Sequence, residues 1–410
     1  MTAEPVTIHV PEYRSVDVSL TDAQARQLQL ASGSRLTITP ARSGFRLTAS
    51  SHVGSISIPG FVVHVIPKVP VENVLRLMTW STRRLSFLEP SLGHASASLT
   101  EAVAAWYARM LERTLVLGPD RSYVEQAERL DALRGRVDLP ALAHSGGLPT
   151  PLPCRFDEWT VDTRLNRLVT SAAHALARQS GVAANTAMEL RRLIRMIPGV
   201  GALRPDDLTV TAPLTNRLND HYADTSRLAI LILRSSGFGH GAGSTVTSSF
   251  MVDMNKVFED FVSARVAALL TDGRRLTCQQ PVPLDEERFV VTAPDLIVTD
   301  HRGHTELVAD VKYKLTTDGT GRSSDYYQLL AYCTSLALPR GVLIYADAGD
   351  LPAPPRRLHV RNGGTILDTV RLSLHGSPEE LDSSIGAMVT GLLHVHGPLR
   401  WPSPLVAFPH

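Results

Sequence analysis

Two carboxylates and one ammonium group stand at a spacing that could do chemistry. Pro294-Asp295 is followed by fourteen residues and then by Asp310-Val311-Lys312. The pattern reads as two adjacent strands that bring both aspartates to a common point. Lys312 lies two residues after Asp310, so on a strand both side chains share one face. Hydrolysis of a phosphodiester needs a deprotonated water, neutralisation of the charge that develops on phosphate, and a stabilised leaving oxygen. A carboxylate-bound Mg²⁺ supplies much of this. Mg²⁺ takes hard oxygen ligands, usually one or two carboxylates completed by water and substrate phosphate. Asp295 and Asp310 are the candidate ligands, and the Val311 carbonyl is a further one. Lys312 could hold the attacking water or the phosphate. Mn²⁺ could replace Mg²⁺ at such a site.

Lysine usage sharpens this reading. Of 41 basic residues only four are lysines, at 68, 256, 312 and 314. Arginine is planar and always protonated, whereas lysine is a compact point charge whose pKa can be moved. The apolar run Leu307-Val308-Ala309 predicts a central strand ending at Asp310. A carboxylate there is costly to bury unless it binds a cation or pairs.

Two helices flank these strands. In the one predicted over about 249–271, Asn255 and Glu259 are spaced i, i+4 and share a face. Glu259 could reach the metal directly or through water, with Asn255 beside it. In the one predicted over about 323–337, Gln328 and Tyr332 are also i, i+4 and could orient the lysine or contact a DNA phosphate. Each pair also has a plain reading as a solvated or half-buried helix face. His301 and His304 flank a predicted hairpin tip with Gly303 and read as a turn rather than as metal ligands. Ser235-Ser-Gly-Phe-Gly-His-Gly-Ala-Gly-Ser-Thr245 could cradle phosphate, but no Lys-Ser/Thr follows, so it reads as a connector. Phe156-Asp-Glu-Trp159 with Asp162, Arg164 and Arg167 is a mixed-charge cluster at a helix start, suited to capping and ion pairing or to a partner contact. Arg191, Arg192 and Arg195 read as a solvated basic helix face.

The elements that must position these residues suggest an α+β multidomain protein. Residues 1–70 are β-rich, with runs such as Val6–Val10, Leu36–Thr39, Phe45–Thr48, Ser55–Ile58 and Val62–Ile66 punctuated by Gly54 and Pro59-Gly60. One short helix starts near Thr21 or Asp22. Residues 71–236 are mainly helical, with helices expected at 71–86, 98–116, 162–180, 186–196 and 213–235. Extended segments are expected at 134–139 and 153–158. Residues 248–410 form an α/β domain with a mixed central sheet. Its strands fall near 275–282, 288–299, 304–313, 341–345, 356–361 and 366–373, and a last helix spans about 377–394.

Composition excludes several classes. The three cysteines, Cys154, Cys278 and Cys333, are dispersed, which argues against clustered zinc or iron–sulfur sites and fits a reducing cytosol. No apolar run approaches the roughly 18 residues needed to span a bilayer. The start Met1-Thr-Ala-Glu-Pro has no signal-peptide pattern. None of the four lysines follows a glycine, so a Walker A loop is absent and no nucleotide hydrolysis through a P-loop is expected. The formal net charge is +1, a weak field for a protein that grips DNA alone.

Order and spacing of Glu259, Pro294-Asp295, Asp310-Val-Lys312 and Gln328-x-x-x-Tyr332 resemble the PD-(D/E)XK nuclease superfamily in its RecB-like variety, over about residues 249–346. A narrower resemblance covers nearly the whole chain. Ile56-Ser-Ile-Pro-Gly-Phe-Val-Val-His-Val-Ile-Pro-Lys68, Leu133-Arg-Gly-Arg-Val-Asp138, Phe156-Asp-Glu-Trp-Thr-x-Asp162-Thr-x-Leu-Asn166-Arg167 and Met254-Asn-Lys-Val-Phe-Glu-Asp-Phe-Val262 are similar to the McrC family, nuclease subunits of two-component restriction systems. The resemblance implies a cytoplasmic, Mg²⁺-dependent endonuclease that cuts modified, double-stranded DNA in bacterial defence. It also implies a GTP-hydrolysing, McrB-like AAA+ hexamer as partner. The β-rich residues 1–70, read as a compact unit ahead of the nuclease half, are the candidate docking region. Two other readings stand beside it: an adaptor that stimulates an AAA+ GTPase with a silent site, and a free-standing RecB-like nuclease.

Overall fold

The computed structural model describes residues 5–79, 98–144, 151–209, 215–236, 248–313, 322–347, 356–374 and 377–393. The chain opens with β1 (Val6–Pro11), β2 (Ser15–Val18), α1 (Asp22–Ser32), β3 (Leu36–Ala41), β4 (Gly44–Ala49), β5 (His52–Ile58), β6 (Phe61–Ile66) and α2 (Val71–Thr79). It continues with α3 (Leu99–Val116), β7 (Ser122–Leu130), β8 (Arg136–Val137), α4 (Leu139–Ala143), β9 (Leu152–Thr160), α5 (Arg164–Ala177), α6 (Ala184–Arg195) and α7 (Ala223–Ser235). Then come β10 (Ser248–Asp253), α8 (Met254–Leu269), β11 (Arg275–Thr277), β12 (Val282–Pro283), β13 (Val291–Thr292), β14 (Leu296–Thr299) and β15 (Thr305–Lys312). The described chain closes with α9 (Ser323–Ser335), β16 (Arg340–Asp347), β17 (Arg356–His359), β18 (Ile366–Ser373) and α10 (Pro378–Leu393).

Two compact units result, one formed by Met1–Gly93 with Met251–His410 and the other by His94–Phe250. The first unit holds a six-stranded mixed sheet, ordered β11-β14-β15-β16-β18-β17. β15, β16 and β18 run parallel, and β11, β14 and β17 pair antiparallel. The N-terminal residues, expected as a separate module, belong to this same unit, and the reason lies in what they bury. The Lys68 ammonium sits between the rings of Tyr13 and Tyr313, 4.7 and 4.5 Å from their centroids. The Tyr313 hydroxyl donates to Glu12 Oε2 at 3.2 Å. Met254 N–H donates to the Ser51 carbonyl at 2.9 Å, and β10 adds to the sheet ordered β1-β6-β5-β10.

Burial pushes the Glu12 carboxyl up to about 7, with Lys68 pulling the other way. An acid whose folded pKa lies above its unfolded one costs nothing below both values. Stability is then lost as pH rises from about 4.5 to about 7. Glu12→Gln keeps the acceptor oxygen but not the charge. Its stability relative to wild type should therefore rise by on the order of 2–3 kcal/mol between pH 5 and pH 8. Urea unfolding at the two pH values measures this, and an equal difference at both would remove the charge from Glu12's role.

Several expected boundaries move. The helix expected from about 249 starts at Met254, because Ser248–Asp253 pairs as β10 and Asp253 caps α8 by accepting from Asn255 N–H. The helix expected over 213–235 starts at Ala223. Asn216 and Asn219 bond local backbone N–H groups instead, which favours a turn. Residues 80–86 of the first expected helix, and most of the Gly-rich connector, lie outside the described residues. Arg191 donates to the Ala177 carbonyl, and Arg192 pairs with Glu112 and Glu189.

In the second unit the strand β7 was not foreseen. It pairs with β9 over nine positions, from Ser122 opposite Thr160 to Leu130 opposite Leu152. The mixed-charge cluster at the α5 start is internal: Arg167 holds the Asp207 carboxylate bidentately at 2.9 and 3.0 Å and Asp162 Oδ1 at 3.1 Å. His301 and His304 lie in a turn where Asp300 Oδ1 accepts from the Arg302 and His304 N–H groups. Gly303 supplies the left-handed backbone there, at φ 88°.

Candidate active site

β14 and β15 are antiparallel, with Leu296 opposite Ala309. One step further on, Asp295 and Asp310 stand opposite each other, and side chains at such positions share a face. Along β15 the faces alternate. Val308 shares a hydrophobic cluster with Leu329, Tyr332 and Cys333 of α9, so Asp310 and Lys312 also point to the α9 side. Tyr313 lies on the alternate face, where its ring is 6.1 Å from that of Phe258 on α8. Gly341 on β16 permits the close approach of α9, since a Cβ there would lie 2.5 Å from Cys333 Sγ.

Asp310 is fully buried. Lys312 Nζ lies 2.8 Å from its Oδ2, yet neither carboxylate oxygen has a well-aligned hydrogen bond. Burial pushes this carboxyl up to about 7; Lys312 opposes the rise and nearby Asp295 adds to it. Burial works against the Lys312 charge, but the Asp310 carboxylate offsets it and holds the ammonium above the usual lysine range. Asp295 Oδ2 accepts from Val311 N–H at 2.7 Å. A buried carboxylate with unfilled lone pairs, opposite a second carboxylate, is a donor set that fits Mg²⁺. Among the described residues no three His, Cys, Asp or Glu side chains gather around one metal position. An ion here would be held by Asp295 and Asp310, with the Val311 carbonyl, water and phosphate as the remaining oxygen donors.

Glu259 reaches this pair only through an intermediary. Its Oε1 accepts from Lys256 Nζ and from Gln279 Nε2, both at 3.1 Å. The same Gln279 nitrogen donates to Asp295 Oδ1 at 2.5 Å. Gln279 is a residue that sequence reasoning missed. It stands between two short strands in no motif, and its partners are 20 and 16 positions away. Asn255 is not drawn to the carboxylates; its amide donates to Ser51 Oγ at 2.7 Å.

On the α9 side, Gln328 Nε2 donates to the Tyr332 hydroxyl at 2.6 Å, and that hydroxyl donates to the Ala293 carbonyl at 3.4 Å. The i, i+4 pair therefore props the turn that leads into Pro294-Asp295. Burial, with Asp310 and Asp295 adding to it, pushes the Tyr332 hydroxyl up to about 12. Asp325 was also missed. It is buried, accepts from the Tyr345 hydroxyl at 2.7 Å, and adds to the negative field around Lys312. A carboxylate in a first helical turn reads as ordinary dipole compensation, which hides it.

The sequence model of the McrBC 5-methylcytosine restriction system component family matches residues 47–346. The chain belongs to that family and is a component of a McrBC-type restriction system. It is similar in fold to a chain in the refined half-complex of a tetradecameric assembly of Thermococcus gammatolerans McrB AAA+ hexamers with bound McrC. That match has 18% identity and a TM-score of 0.57, and covers 95% of this chain and 100% of that one. A chain of the Thermococcus gammatolerans McrBC complex, solved by cryo-EM, matches with 20% identity and a TM-score of 0.42, over 65% of this chain and 88% of that one. Among curated proteins none matches. No described helix is long and apolar enough to cross a membrane.

Proposed function

We propose that the chain is the Mg²⁺-dependent endonuclease subunit of its restriction system, with a PD-(D/E)XK site that hydrolyses phosphodiesters in methylated double-stranded DNA. The observation that carries this reading is Asp310: wholly buried, with Oδ1 unpartnered and Oδ2 met only by the charged Lys312, and opposite Asp295. When bound, Mg²⁺ would polarise the phosphate and make a bound water more acidic. Asp295 and Asp310 hold the ion. Lys312 faces the same side and holds the attacking water or a phosphate oxygen. Tyr332 and Gln328 fix the approach to Asp295. Such a complete set argues against an adaptor with a silent site.

A GTP-hydrolysing AAA+ partner fits the other half of this reading. The chain has no Gly-Lys pair for a P-loop of its own, and its net charge of +1 gives little grip on a polyanion. A motor supplies both the energy and the local concentration. The similar fold occurs in an assembly of McrB AAA+ hexamers with bound McrC. The purified chain alone should therefore cut methylated DNA poorly and hydrolyse no GTP, and should cut once the motor and GTP are added. Lys312→Arg should not restore the reaction and should lose roughly 100-fold or more in cleavage rate. Salt-resistant, specific cleavage by the isolated chain would favour a free-standing nuclease. Near-normal cleavage by the arginine variant would leave Lys312 with no special role.

A further inference from the structure

Gln279 occupies an unusual position. Its backbone is left-handed, at φ 52°, a conformation that costs a non-glycine side chain about 1 kcal/mol or more. The strained turn is locked by Gln279 N–H donating to the Pro294 carbonyl at 3.0 Å, directly before Asp295. The side chain it aims donates from one amide nitrogen to both Glu259 and Asp295. Glu259 belongs to α8, which packs by Phe258 near Tyr313 on the face of β15 away from Asp310. The amide therefore joins a helix on one side of the sheet to a carboxylate on the other.

We propose that Gln279 is a positioning residue for the metal site, and that Glu259 acts on the ion through Gln279 and Asp295 rather than as a ligand. This rests on the reading of Asp295 and Asp310 as the ion's ligands. The physical argument is that Asp295 has two oxygens, and each is fixed by one N–H donor. Val311 N–H sets Oδ2 and Gln279 Nε2 sets Oδ1, so the carboxylate plane cannot turn. Glu259, itself anchored by Lys256, holds the Gln279 amide in place by accepting from the same nitrogen. Donors that orient ligating carboxylates typically contribute 10- to 100-fold in metal affinity.

The test is Mn²⁺ titration of the purified full chain by calorimetry, with thermal unfolding of each metal-free variant. Gln279→Gly removes the amide and suits the left-handed backbone, so it should fold with an unchanged or higher melting temperature. Gln279→Gly and Glu259→Ala should each weaken Mn²⁺ binding by roughly tenfold. The double variant should lose the same tenfold, because both substitutions cut one chain of contacts. A loss of about a hundredfold in the double variant would make Glu259 an independent ligand and overturn the proposal. Unchanged or tighter binding by Gln279→Gly would also overturn it while leaving the two-aspartate site standing. If the wild-type chain takes up no Mn²⁺, the reading of the site fails, and the proposal fails with it.

Discussion

Asp310→Asn should abolish DNA cleavage, by roughly a thousandfold or more, while leaving the protein folded. The two halves of that expectation have one cause. Asp310 is wholly buried and its carboxylate oxygens lack aligned hydrogen bonds, so its charge serves no packing purpose that an amide of the same shape would forfeit. Burial of this carboxylate is costly, and the Lys312 ammonium at Oδ2 offsets only part of that cost, since the carboxyl is still pushed up to about 7. Lys312, which loses its 2.8 Å partner, still lies in the field of Asp295 and Asp325. The melting temperature of the metal-free variant should therefore stay within a few degrees of wild type. Added Mg²⁺ should raise the melting temperature of the wild type, because a ligand that binds only the folded state stabilises it, and should leave the variant unmoved. Cleavage that survives Asp310→Asn in the reconstituted complex would move the active site elsewhere.

Deletion of residues 1–70 should prevent the C-terminal half from folding, rather than merely detach a docking module. These residues supply β1, β5 and β6, whose Val10, Val53, Ile56, Val63 and Val65 are buried. They also supply Lys68 beneath the Tyr313 ring, one residue beyond Lys312, and the Ser51 carbonyl that receives the first N–H of α8. Burial of each such aliphatic side chain contributes about 1.5–3 kcal/mol, against a total stability of about 5–15 kcal/mol for a typical domain. Removal of five forfeits about 7.5–15 kcal/mol, as much as that whole total, and takes away the partner strand of β10 as well. The fragment 71–410 should keep the thermal transition of the second unit, His94–Phe250, and lose that of the first. Retention of both transitions in the fragment would restore the view of residues 1–70 as a separable module.

How much of this was legible in the sequence depends on whether the signal was local. Asp295, Asp310 and Lys312 could be placed together because a strand period of two, an apolar run and a turn at Gly303 are all short-range features. Gln328 and Tyr332 could be paired because i, i+4 geometry is intrinsic to a helix, and the structure does bond them to each other. Gln279 could not be found this way. Its role depends on a left-handed backbone at a non-glycine residue and on partners from two other elements. Asn255 shared the helical spacing of Glu259, yet the nearest acceptor for its amide is Ser51, two hundred and four positions earlier. β7 carries Glu125, Gln126, Glu128 and Arg129, with little strand propensity, and forms because β9 offers it nine paired positions. β10 merges in sequence with α8, because Phe250, Met251 and Val252 run straight into the apolar residues of that helix, and only the edge of β5 opposite β6 decides between strand and helix. The division of the chain was hidden for the same reason, since a shared core between residues far apart leaves no mark in composition.

The most direct measurement of the central claim separates hydrolysis of DNA from hydrolysis of nucleotide in one complex. A covalently closed plasmid bearing 5-methylcytosine is incubated with Mg²⁺, GTP and the AAA+ partner, together with either the wild-type chain or Lys312→Ala. The wild-type complex should linearise the plasmid. The Lys312→Ala complex should hydrolyse GTP at the wild-type rate and leave the plasmid intact. Linearisation at a comparable rate by both complexes would contradict the assignment of phosphodiester hydrolysis to Asp295, Asp310 and Lys312.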